Sequence, residues 1–152
     1  MRQCGFPQED VAYISTPAKL SLAGSAADPK QADPAYEPVI QMAAGDRHSL
    51  ALTGATFQVF GWGNNSHGQV GLSSCETELV IAQPQELRFF RNKIVVGVSA
   101  GRNHSGASTV EGYPYVWGSN THGQLGSLSS SSKQRIFRLP QVVDPLLGNG
   151  IA

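Results

Sequence analysis

Two stretches of this 152-residue chain are versions of one another, and a repeat limits the possible fold more than any other feature. Ala44-Gly45-Asp46-Arg47-His48-Ser49 returns 56 positions later as Ala100-Gly101-Arg102-Asn103-His104-Ser105. Trp62-Gly63-Asn64-Asn65-Ser66-His67-Gly68-Gln69-Val70-Gly71 returns 55 positions later as Trp117-Gly118-Ser119-Asn120-Thr121-His122-Gly123-Gln124-Leu125-Gly126, so one residue is lost between the two blocks. Pro84-Gln85-Glu86-Leu87 returns as Pro140-Gln141-Val142-Val143, again at 56. Three blocks in the same order and at nearly the same spacing make one structural unit built twice.

Each unit reads as short strands. Seventeen Gly and nine Pro are more than helices tolerate, because Gly gives up backbone entropy and Pro breaks the hydrogen-bond ladder. Val39 to Ala43 and Lys93 to Val98 are apolar, β-branched runs, as expected of strands buried on both faces. Ser49 to Thr53 and Ser105 to Thr109 follow as second strands, and Phe57 to Trp62 and Tyr113 to Trp117 as third. Gly54 with Ala55 supplies the first hairpin bend, and Val110-Glu111-Gly112 the second. A less defined fourth run ends at Leu87 or Val143. Four short strands per unit make one propeller blade, so the fold class is all-β, a partial β-propeller of two blades with incomplete blade elements on either side. The expected organisation is an N-terminal extension over 1–36, repeats over 37–92 and 93–150, and the start of a further blade at 151–152.

The order Ala-Gly-x-x-His-Ser, aromatic-Trp-Gly-x-Asn, Gly-Gln-Leu-Gly and Pro-x-x-Val resembles the regulator of chromosome condensation repeat, whose full-length members are seven-bladed propellers. The resemblance covers residues about 38 to 144. It assigns scaffold roles to Gly45, His48, Trp62, Gly68 and Gly71, and to their counterparts Gly101, His104, Trp117, Gly123 and Gly126. The second copy departs from the pattern. Gly106 and Ser108 replace Leu50 and Leu52, which predicts a looser blade, and Pro114 must lie at an edge or bulge. The serine run 129–132 reads as a variable outer loop.

Thr16-Pro17-Ala18-Lys19-Leu20 is similar to the close of a preceding blade, and Gly150-Ile151-Ala152 to the start of a following one. Two blades cannot close a ring, and blades bury their faces mainly against neighbours, so two apolar flanks are expected to remain open. Such flanks associate, which predicts a partner or further copies of the chain supplying the missing blades.

Eleven basic and eleven acidic side chains cancel, which argues against a nucleic-acid or membrane-surface binder. Cys4 and Cys75 form no CxxC pair, and Glu9 and Asp10 interrupt the start before any apolar run develops. The expected location is therefore cytoplasmic or nuclear.

His48, His67, His104 and His122 hold matched repeat positions, so scaffold accounts for them better than a metal site does. Asp46, His48 and Ser49 have the residue types of a hydrolase triad, but neighbours on a strand face opposite ways. The glycine clusters Gly61-Trp62-Gly63 and Gly68-Gln69-Val70-Gly71 lack the Gly-Lys-Ser/Thr ending of a phosphate loop. No catalytic residue and no cofactor is expected. The segment Arg88-Phe89-Phe90-Arg91-Asn92-Lys93 has no counterpart in the second unit, so shared scaffold geometry does not explain it, and Arg88, Phe89, Phe90, Arg91 and Lys93 are the candidate partner-binding residues. The reading is a protein-interaction module. The alternative, brought only by the resemblance, is guanine-nucleotide exchange on a small GTPase, to which no residue here is matched.

Overall fold

The computed structural model describes residues 38–72, 79–126 and 135–143. The expectations for Thr16 to Leu20, both cysteines, the serine run and everything beyond 143 lie outside these residues.

Eight strands make two antiparallel sheets. Blade 1 holds β1 (Val39–Ala44), β2 (His48–Thr53), β3 (Val59–Asn64) and β4 (Val80–Glu86), ordered as they occur in sequence. Blade 2 holds β5 (Val95–Ala100), β6 (His104–Thr109), β7 (Pro114–Ser119) and β8 (Ile136–Val142), ordered likewise. A single 3-10 turn, Arg88–Phe90, joins the blades. Among the described residues no helix is long and apolar enough to cross a membrane.

The lost residue falls in the hairpin between the second and third strands. The amide of Thr53 donates to the carbonyl of Gln58, five residues on, whereas that of Thr109 donates to Tyr113, four residues on. The left-handed residue of the first bend is Phe57 (φ 55°), not Gly54, and in the second bend Gly112 takes the equivalent place (φ 86°). The longer loop delays β3 until Val59, two residues later than the sequence suggests. Prolines fall where their missing N–H costs least. Pro84 and Pro140 lie on outermost strands, and Pro114 opens β7 rather than sitting at an edge or bulge.

The core is centred on β2 and β3. Leu50, Leu52, Val59 and Trp62 are buried, and one apolar cluster continues from them through Phe90 to Val95, Val98, Ala107 and Trp117 of blade 2. The first strand is not buried on both faces as its composition suggests: Val39, Ile40 and Met42 are 42%, 58% and 60% exposed. Its position explains this, because β1 is terminal in the sheet order and, among the described strands, packs mainly against β2 and less against β5.

Candidate partner-binding site

The connection between the blades divides its residues by direction. Phe90 is turned inward, with its ring centroid 5.6 Å from Tyr115 and 5.8 Å from Trp117, and it fills the space between the sheets. Phe89 remains exposed and packs edge-on against Phe90 and Tyr115 at 5.1 and 5.6 Å. The Lys93 ammonium stands 4.6 Å above the Phe89 ring. Arg91 makes two hydrogen bonds to the Glu86 carboxylate, at 2.8 and 2.6 Å, and this pairing holds the Glu86 carboxyl below its ordinary range. Of the five candidate residues, Phe90 is scaffold. Arg88, Phe89, Arg91 and Lys93 form an aromatic and cationic surface at the connection between the blades, and Val110 and Tyr113 are exposed as well.

Beside this surface lies the joint between the blades. Alternation along β2 places His48, Leu50 and Leu52 on one face, and His48 shows that this face meets blade 2, since its Nε2 lies 2.8 Å from Ser105 Oγ of β6. The Ser105 hydroxyl donates onward to the carbonyl of Gln69 at 2.7 Å, which leaves its oxygen to accept from His48 and fixes the proton on Nε2. The Trp117 indole N–H donates to the same carbonyl at 2.9 Å. Gln41 adds an amide clamp on the β5 backbone, donating to the Val98 carbonyl and accepting from its N–H, each at 3.0 Å.

His48 is fully buried, and its Nδ1 has no hydrogen-bond partner among the described residues. Burial first, and the neighbouring His104 second, push its pKa from 6.5 down to about 4. The contact joins a serine to a histidine, but among the described residues no acid orients Nδ1, and both side chains are enclosed, as suits a joint rather than a nucleophile. Ser105→Ala leaves the buried Nε2–H without an acceptor. It is expected to cost about 1–3 kcal/mol, read as a lower urea midpoint at unchanged slope. Unchanged stability would mean that the hydroxyl is dispensable.

The face of blade 2 directed away from blade 1 repeats part of this joint with no occupant among the described residues. His104, Gly106 and Ser108 are half-buried, and the His104 ring makes no hydrogen bond to any described residue. A Cβ built on Gly68 would meet the Arg138 backbone at 2.6 Å and one on Gly71 would meet Trp117 Nε1 at 2.7 Å, whereas Gly123 and Gly126 face open space. The opposite face of blade 1 is closed, with Ser49 9% and Trp62 2% exposed. The two blade faces therefore differ: one is open and bears small, polar side chains, where two open apolar flanks were expected. The partial loss across Leu50 to Gly106 is offset within the sheet, because their cross-strand partners change in the opposite sense, from Gly61 to Val116.

Among the described residues no cluster of three or more histidine, cysteine or acidic side chains is arranged for a metal ion. Asp46, His48 and Ser49 do not converge. Asp46 lies 3.8 and 3.9 Å from Arg47 and Arg102, and Ser49 pairs with Trp62 on the face opposite His48.

The regulator of chromosome condensation (RCC1) repeat matches residues 58–108 and 111–152, and a second description of the same repeat matches 39–69 and 95–124. The human probable E3 ubiquitin-protein ligase HERC4 is 36% identical over 105 residues, covering 67% of this chain and 10% of that protein. The bovine secretion-regulating guanine nucleotide exchange factor is 38% identical over 113 residues, covering 71% of this chain and 23% of that protein. The ultraviolet-B receptor UVR8 of Arabidopsis thaliana is 41% identical over 86 residues, covering 57% and 19%. Among solved structures, human WBSCR16 superposes with a TM-score of 0.58 at 27% identity, over 74% of this chain and 26% of that one. Prp20p of Saccharomyces cerevisiae superposes with a TM-score of 0.54 at 27% identity, over 69% and 25%. The chain thus spans about a quarter of these relatives' length at most.

Proposed function

The chain belongs to the regulator of chromosome condensation (RCC1) repeat family, and on that premise we propose that it is a protein-binding propeller segment rather than a catalyst. The observation that carries this reading is the joint formed by His48, Ser105, Gln69 and Trp117, whose counterparts His104 and Gln124 stand on a face with no described occupant. A further blade of the same kind docks there and continues the stack. The neighbouring surface of Arg88, Phe89, Arg91 and Lys93 contacts a protein partner at the end of the propeller. Both surfaces use only groups suited to binding: an exposed aromatic ring, cations on its face, and hydrogen-bonding groups at a sheet flank. The yeast relative Prp20p has binding properties toward Gsp1p and histones, which supports a protein-binding role for such propellers.

The bovine relative named as an exchange factor supports a second reading, in which the chain is part of a nucleotide-exchange factor for a small GTPase. One pair of assays separates the two. Immobilised chain is expected to retain a protein partner that Arg88→Glu and Phe89→Ala variants of unchanged thermal midpoint lose, with no acceleration of nucleotide release from a panel of small GTPases. Equal capture by wild type and variants would remove the end-surface assignment, and robust acceleration of release would establish the exchange reading instead.

A further inference from the structure

We propose that the connection between the blades binds an acidic segment of a protein partner, whose carboxylates meet Arg88 and Lys93 and whose large apolar side chain lies between them on Phe89, Ile94 and Val110. The inference rests on the reading above that this connection contacts a protein, and adds the chemistry of that protein.

The apolar floor runs across the seam between the blades. The Val110 N–H donates to the Ile94 carbonyl at 2.9 Å, which ties the hairpin of blade 2 to the end of the connection. Phe89 packs on Tyr115 of β7, the strand that follows this hairpin, and Phe89, Ile94, Val110 and Tyr113 are all exposed. Blade 1 makes the matching bond, from the Gly54 N–H to the Pro38 carbonyl at 2.9 Å, but it has Gly54 where blade 2 has Val110 and Gln58 where blade 2 has Tyr113. Repeat geometry therefore does not account for the large side chains of blade 2, and exposed apolar clusters rimmed by charge mark interaction sites.

The charges select the sign of the partner. Three cations, Arg88, Arg91 and Lys93, stand against two carboxylates, Glu86 and Glu111. Arg91 is committed to Glu86 by two hydrogen bonds, and Arg88 has no carboxylate within ion-pair distance among the described residues. The half-buried Lys93 ammonium has the Phe89 and Tyr115 rings at 4.6 and 5.9 Å and one long hydrogen bond, 3.4 Å, to the Phe89 carbonyl. It keeps N–H donors for another acceptor. Glu111 does not neutralise it: that carboxyl is held below its ordinary range chiefly by its own backbone N–H, and Lys93 is the least of the causes. An ammonium already stripped of part of its water gains more from a carboxylate than one in bulk solvent does. The chain as a whole is neutral, so the positive sign is local and suits a short acidic segment rather than an extended polyanion.

The test pans the full chain against random short peptides displayed on phage and measures the enriched sequences as synthetic peptides by fluorescence anisotropy. They are expected to carry Asp or Glu on both sides of a Leu, Phe or Trp. Among variants of unchanged thermal midpoint, Lys93→Gln and Phe89→Ala each weaken them about tenfold and Lys93→Arg restores most of the binding. Glu111→Lys tightens them about threefold, a gain that a merely structural role for the patch does not produce, and raised salt weakens them. Enriched peptides that are basic or uncharged, yet still lost with Phe89→Ala, would overturn the acidic chemistry and leave the partner surface standing. Enrichment indifferent to Phe89, Lys93 and Glu111, or no enrichment, would overturn the surface as well. Phosphatidylserine vesicles bound through Phe89 and Lys93, with no acidic peptide enriched, would assign the patch to a membrane instead.

Discussion

Trp117→Ala is expected to lower the unfolding free energy by about 3–5 kcal/mol, the range for removing a large aromatic side chain from a packed interior. Three losses coincide at this position. The indole is fully buried between the blades, its N–H is one of two donors to the Gln69 carbonyl, and its ring packs on Phe90. Gly71 lies so close to the indole that its own backbone sets one wall of the cavity left behind, and that wall cannot collapse without moving the turn. Against a total stability of about 5–15 kcal/mol for a domain, the variant loses a large share of its folded population. Trp117→Phe keeps most of the apolar contact and is expected to lose less than half as much. Urea unfolding followed by far-ultraviolet circular dichroism checks both, and a cost under about 1 kcal/mol for the alanine variant would mean that the joint is not a cooperative part of the fold.

Acidification is expected to remove about 3 kcal/mol through His48 alone. Its folded pKa of about 4 lies below its ordinary 6.5, so the unfolded chain takes up the proton first as pH falls. The contribution is therefore complete above about pH 6.5, declines through the interval down to about 4, and does not decline further below that. A shift of this size corresponds to about 3 kcal/mol at 1.36 kcal/mol per unit. Glu86 behaves in the same sense but at lower pH: its depressed pKa adds stability that is lost only in the acid range below its ordinary 4.5. Because it is common to both proteins, the difference between wild type and His48→Gln isolates the histidine; glutamine retains an N–H for Ser105. Urea midpoints from pH 7.5 to 4 should fall more steeply for wild type, and parallel curves would contradict the assignment.

Much of the architecture was legible in the sequence because repeats turn one local pattern into evidence twice over. The blade count, the strand order and the lost hairpin residue all follow from blocks whose spacing survives. Position in the sheet was not legible. Val39 to Ala43 has the composition of an enclosed strand, yet exposure depends on what lies beside a terminal strand, and composition carries no record of a neighbour. Phe57 shows the same limit at a smaller scale: Gly54 is the residue best suited to a bend, but the hydrogen bond from Thr53 to Gln58 places the left-handed conformation at Phe57.

The candidate site was legible only in outline. The absence of a repeat counterpart singled out Arg88 to Lys93, but the segment is irregular, and no periodicity distinguishes the inward Phe90 from the outward Phe89. Ser105 went unnoticed because its role depends on His48 in the preceding blade, 57 residues away, and each block read separately contains its own His-Ser pair. The signal was present in the pairing of a buried histidine position with a hydroxyl one repeat later. The asymmetry of the two blade faces could be sensed from Gly106 and Ser108, but which face they occupy needed the His48 contact to orient the sheet.

The central claim is that the His104 face of blade 2 docks a repeat blade. Photo-crosslinking from a benzoylphenylalanine placed at position 108, applied in extract of the source cell and mapped by mass spectrometry, tests it most directly. The account predicts crosslinks to a segment bearing the Trp-Gly block of such a repeat, absent when the same label stands at Glu111 in the exposed hairpin. Crosslinks confined to unrelated segments, or equal in pattern at the two positions, would contradict it.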